Sequence, residues 1–167
     1  MQSITALMEW LQATSPAVFI HKTPWAFTTI ALIHVFAIAL VIGSIAIVDL
    51  RLLGLASTKR RFTELARAFL PWTWSAFAIA VVAGSLLFIS QAAAYFVNTV
   101  FWIKMCVLVL AGINMLVFEL ITVRGVAKWD LAPTPPFAAR LAGGISIACW
   151  ALIVAFGRWT GFSMLPD

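Results

Sequence analysis

The chain has 167 residues, 63% of them hydrophobic and only 10% charged, with mean hydropathy +1.05, whereas about a quarter of a soluble domain is charged. A soluble enzyme or nucleic-acid-binding module is therefore excluded, and the net charge of +5 reads as a topology signal because most basic residues fall at the ends of apolar runs. A hydrocarbon core of about 30 Å takes roughly 20 apolar residues per helix, and four such runs are present, with no long stretch left between them. The expectation is a single transmembrane domain without a separate soluble one.

In chain order, Ile4, Leu7, Met8 and Leu11 recur at helical spacing and predict a short amphipathic helix in the first dozen residues, lying along the interface. This N-terminus has no basic region and no small-residue cleavage site, so a removable signal peptide is not expected. Thr23 and Pro24 read as N-cap and first helical residue of a span over residues 25–48, with Asp49 and Arg51 marking its exit. The second helix is expected to start at Thr63, to bend at Pro71, and to carry its apolar part over 72–94. Asn98 offers an N-cap for the third span, 100–120, and "KWDLAPTPPF" cannot be a continuous helix. The fourth span follows over 138–162.

The fold class is thus all-α, an up-down four-helix bundle in a membrane. Ala80/Gly84 and Ala139/Gly143 are small-residue pairs that let helix backbones approach closely. Arg51, Lys59, Arg60, Arg61 and Arg67 precede the second span, and Arg124, Lys128 and Arg140 flank the connection between the third and fourth. The connection "QAAAYFVN" carries no charge. The positive-inside rule then puts both basic loops in the cytoplasm and both termini outside. Trp25, Trp102 and Trp159 are then expected in an outer aromatic belt and Trp72, Trp74 and Trp129 in an inner one. Cys106 and Cys149 lie in apolar runs and predict neither a disulfide nor a zinc site.

Three polar residues interrupt this pattern. His34 sits about 15 Å below the outer end of its helix, near the midplane, where an unpaired imidazole costs a few kcal/mol. Lys104 lies about 9 Å inside the third span, on one stripe with Ala111, Met115 and Glu119 that is expected to face the bundle interior. Arg158 lies about one turn inside the outer end of the fourth span. Haem b accounts for this set: His34 would ligate the iron, Lys104 and Arg158 would meet the propionates, and Met115 with Phe27, Phe36 and Phe88 would supply apolar walls. Lys104 could alternatively be axial, as a deprotonated amine. Against the haem reading, a membrane histidine can simply hydrogen-bond a backbone carbonyl across a helix interface, and the cations can be interfacial anchors.

The stretches "PWAFTTIALIHVFAIALVIGSIAIVDLRLLG", "LARAFLPWTWSAFAIAVVAGSLLF", "FWIKMCVLVLAGINMLVFE" and "ARLAGGISIACWALIVAFGRW" resemble a bacterial four-span membrane family of unknown function, from Pro24 to Trp159. The layout is more distantly similar to HemJ-type protoporphyrinogen oxidases and CopD-type copper membrane domains. The HemJ resemblance implies haem b binding through His34 and Lys104. It does not extend to that enzyme's "LPRLF", which here reads "VDLRLL".

Three functions follow as alternatives. One is a haem b protein passing electrons or oxidising a lipophilic substrate, quinone-like or porphyrin-like, at the outer side. The second is a CopD-type copper-handling or transport protein using Met105, Cys106, Met115 and His34. The third is a cofactor-free subunit of a homo-oligomer or larger membrane complex. The sequence offers no phosphate loop, no plausible triad and no exposed basic module for nucleic acid.

Overall fold

The structure, a computed structural model, describes residues 2–164. Four of its helices are long and apolar enough to cross a membrane, at Pro24–Leu52, Phe62–Ser90, Thr99–Lys128 and Phe137–Ser163. Their outward faces carry exposed Leu32, Val35, Phe36, Val82, Val109 and Leu152, the surface expected of a helix in contact with lipid. The protein is a multi-pass membrane protein with an all-α bundle.

The chain runs α1 (Gln2–Gln12), α2 (Ser15–Lys22), α3 (Pro24–Leu52), α4 (Phe62–Ser90), α5 (Ala92–Val97), α6 (Thr99–Val117) and α7 (Phe137–Ser163). After α6 come a π-helical turn at Phe118–Thr122 and a 3-10 turn at Val123–Lys128. The amphipathic first helix forms as its periodicity predicts. A second short helix, α2, follows it, opened by Pro16 in its first turn. Helices α3 and α4 pack closely, as do α6 and α7, and α3 also packs on α7. The remaining seam, between α4 and α6, is bridged mainly by side chains.

Asn98 caps α6 as its position predicts, its Oδ1 accepting from Phe101 N–H at 3.1 Å. Helix α4 begins one residue before Thr63 and runs through Pro71. It ends at Ser90, earlier than the expected 94, because Gln91 leaves helical geometry (φ −140°, ψ 39°) and its N–H turns back to the Phe88 carbonyl at 3.1 Å.

The inner end departs most from expectation. The helix runs past the expected 48: α3 continues through Asp49 and Arg51 to Leu52, and Arg51 is 0% exposed. Its Nε donates to the Arg60 carbonyl at 3.0 Å, and its Nη2 to the carbonyls of Asp130 and Ala132 at 3.0 and 3.2 Å. One guanidinium thereby ties the end of α3 to both inner connections. Gly54 stops the helix at φ +74°, a conformation other residues adopt only with strain, and a Cβ there would meet the Pro133 carbonyl at 3.2 Å. Trp129, expected in an inner aromatic belt, is only 8% exposed and packs on Phe62 with ring centroids 5.2 Å apart. It belongs to the inner core because the 3-10 turn folds it under α4 rather than out towards lipid.

Asp130 caps α4 from the far connection, its carboxylate accepting from Thr63 N–H and from Thr63 Oγ1, both at 2.9 Å. Partial burial opposes ionisation of Asp130, but the Thr63 hydrogen bonds and the nearby Arg61 and Arg51 charges outweigh it and hold its pKa below the ordinary 3.8. A carboxyl with a depressed folded-state pKa adds stability above its unfolded value, and that stability is lost as the pH falls through the folded value. Thermal unfolding in detergent should therefore show a larger loss of stability for the wild type than for Asp130→Asn as the pH falls from about 5 to about 3. Equal losses would remove the carboxylate from the account.

Small residues set the close crossings. A Cβ at Gly143 of α7 would come within 3.0 Å of the Asp49 carbonyl oxygen and of Leu52 Cβ. Because backbone cannot yield as a side-chain tip can, Gly143→Ala is expected to cost about 1–3 kcal/mol by overpacking. An unchanged melting temperature would show that α3 and α7 can separate without penalty.

Candidate functional site

His34 faces α4 across the α3–α4 crossing, where Ala80 and Gly84 leave room for its ring. Its Nδ1 lies 2.8 Å from the Ala80 carbonyl oxygen. A carbonyl can only accept, so Nδ1 carries the proton and the neutral ring presents its lone pair at Nε2. Gly84 is the floor of this niche: a Cβ there would lie 2.8 Å from His34 Cε1 and 3.3 Å from Nδ1. The small pair recognised in the sequence thus serves to seat the imidazole.

Lys104 reaches the same region from α6. Its stem passes over Gly157 of α7, with Cδ 3.8 Å from where a Cβ would stand. Its Nζ lies 4.8 Å from the centroid of Phe101, a cation–π contact. Phe101 stacks on Phe88 of α4 at 5.5 Å and meets Tyr95 at 5.3 Å, so aromatic rings close the outer part of the α4–α6 seam beside the lysine.

The other two candidates lie elsewhere. Arg158 follows Gly157 but turns to the exposed side of α7, where its guanidinium lies 4.2 Å from the centroid of Phe162. Met115 is eleven residues beyond Lys104 on α6, about 16 Å further along the helix axis, and lines an inner cavity instead. Of the expected walls, Phe36 is exposed on the outer face. Cys106 is exposed and Cys149 buried, both as free thiols. Among the described residues no group of three or more His, Cys, Asp or Glu side chains could hold a metal ion.

Residues 7–163 match a family described as a family of unknown function, DUF6644. The chain belongs to the DUF6644 family. No curated protein and no solved structure matches this DUF6644 protein. Its chemistry must be argued from the side chains themselves.

Those side chains include Asp49, which the sequence pattern presents only as the exit of the first span. Asp49 is 3% exposed, and its Oδ2 has no hydrogen-bond partner among the described residues. Ser146 of α7 offers a hydrogen bond to the same carboxyl. Both line the inner cavity, of about 180 Å³, together with Asn114, Met115 and Glu119 of the α6 segment. Asn114 spends its Nδ2 on the Ala142 carbonyl at 3.0 Å, bracing α6 against α7. The signal that could have revealed Asp49 is its stripe: Val41, Ile45, Val48, Asp49 and Leu52 continue one helical face past the supposed exit, up to the Gly54 stop.

The DUF6644 bundle therefore has two polar regions: an outer one around His34 and Lys104, and an inner one around Asp49. The outer region offers a neutral imidazole nitrogen and a cation among aromatic and small residues. The inner region offers carboxyls in an apolar cavity.

Proposed function

We propose that the protein is a membrane haem b protein that passes electrons, or oxidises a lipophilic quinol-like or porphyrinogen-like substrate, and that His34 would hold the iron. The observation that carries this reading is the hydrogen bond from His34 Nδ1 to the Ala80 carbonyl. Ligating histidines commonly hold their second ring nitrogen on a backbone carbonyl, which fixes the tautomer and aims the free nitrogen. The donor set fits the group: one neutral imidazole, and one lysine able to neutralise a propionate or, if deprotonated, to ligate. Haem b supplies one-electron redox chemistry when bound. The chain's part is to hold the imidazole, place positive charge at Lys104, and exclude water with Phe88, Phe101 and Tyr95. The charge pattern supports cytoplasmic basic loops and outward termini in a bacterial inner membrane, which puts the His34 region in the outer half.

Absorbance spectra of protein purified in detergent from haem-sufficient cells test the reading. A Soret band that shifts on reduction is expected, lost in His34→Ala and displaced or weakened in Lys104→Gln. Colourless wild-type protein would overturn it and favour a cofactor-free subunit of a membrane complex.

A further inference from the structure

The inner cavity poses a chemical problem that no side chain among the described residues solves. Asp49 is more than nine-tenths buried with Oδ2 unpartnered, and it lines a partly open cavity of about 180 Å³. Glu119 lies at the rim, in the π-helical turn that follows α6, an irregularity that often marks functional positions. Among the described residues neither carboxyl has an ion-pair partner. Arg51 is close in sequence, but no ion pair joins it to Asp49: its Nε and Nη2 go to the carbonyls of Arg60, Asp130 and Ala132, and its Nη1 is buried without a partner among the described residues. The walls are aromatic, formed by Phe62, Trp74, Phe77, Phe118 and Trp150. Carboxyls without a cation, set among aromatic faces, are the two features that recognise a positively charged nitrogen on an apolar body.

Size and access narrow the class further. A cavity of about 150 Å³ accommodates benzene, so this one suits a single ring or short alkyl body with one polar group. Trp74, Gly112 and Glu119 line the cavity and are also exposed, so it meets the surface along the α4–α6 seam, where the two helix backbones are not closely packed. We propose that this cavity binds a small apolar amine in its protonated form, entering from the lipid through that seam and seating its ammonium against the Asp49 carboxylate. The ligand's ammonium donates to Oδ2, with Ser146 beside the same carboxyl in the cavity wall. Glu119 draws the cation to the rim. This site is independent of His34 and of any cofactor there.

Equilibrium dialysis of benzylamine against the full-length protein in detergent tests the proposal, with benzyl alcohol as its uncharged near-isostere. Saturable benzylamine binding is expected, at least tenfold tighter than for benzyl alcohol and at least tenfold weaker in Asp49→Asn. Glu119→Gln, a change at an exposed position that leaves the core intact, should weaken binding about threefold. Equal affinity for the amine and the alcohol in the wild type would overturn the cationic assignment. Undiminished benzylamine binding in both variants would place the amine elsewhere and overturn the site.

Discussion

Arg51→Met is expected to destabilise the protein by about 2–4 kcal/mol and to loosen both inner connections at once. Methionine fills much of the same space but donates nothing, so the carbonyls of Arg60, Asp130 and Ala132 all lose a charged donor. Each buried carbonyl left unpaired costs about 1–3 kcal/mol. Removing the guanidinium also ends the desolvation cost of a fully buried cation, several kcal/mol in its own right, which is why the net effect is smaller than the three losses combined. Arg51→Lys should recover little, because a single ammonium cannot span two connections as the planar fork does. Thermal unfolding in detergent measures the first effect. Trypsin sensitivity at Lys59, Arg60 and Arg61 measures the second, since those residues are exposed already and are protected only by the fixed course of their backbone. Wild-type melting and unchanged cleavage in Arg51→Met would show that the clamp contributes nothing.

The reasons Arg51 escaped a sequence reading are physical. It stands with Lys59, Arg60, Arg61 and Arg67 after an apolar run, and the positive-inside rule treats all five alike. Four of them are exposed as that rule expects, and only tertiary structure separates the fifth. Trp129 was misplaced for a related cause, since a tryptophan near a span end has the same composition signal whether it faces headgroups or the underside of a helix. By contrast, the four spans, the Asn98 cap and the Ala80/Gly84 and Gly143 contacts were legible, because each rests on local periodicity, local capping or a small side chain with few alternatives. For the candidate sites the division is similar. His34 and Lys104 were conspicuous as polar groups deep in apolar runs, and the structure seats the first on the Ala80 carbonyl and the second over Phe101, which stacks on Phe88 one turn beyond Gly84. Arg158 and Met115 were grouped with them by depth and stripe, yet neither depth nor stripe fixes which way a helix is rotated in the bundle. Asp49 became visible only when α3 was seen to continue beneath it.

Gly84→Val should disrupt the outer site without altering any of its polar groups. The first added carbon would fall 2.8 Å from His34 Cε1, and valine adds two more beyond it. Because α3 and α4 pack closely along their length, the ring has to leave the niche or the helices have to part. Overpacking of this kind costs about 1–3 kcal/mol, and losing the bond to the Ala80 carbonyl adds about 1 kcal/mol more. Gly43→Val is the comparison, since a Cβ at Gly43 meets nothing within 4 Å and a change there should be close to neutral. The decisive measurement is the cycle with His34→Ala, which removes the obstructing ring. If the imidazole is what Gly84 accommodates, Gly84→Val should cost at least 1 kcal/mol less in the His34→Ala background than in the wild type. Equal costs in the two backgrounds would mean that Gly84 serves helix packing alone. A large coupling would establish that the sequence at position 84 is set by the histidine fifty residues before it, whatever that histidine binds.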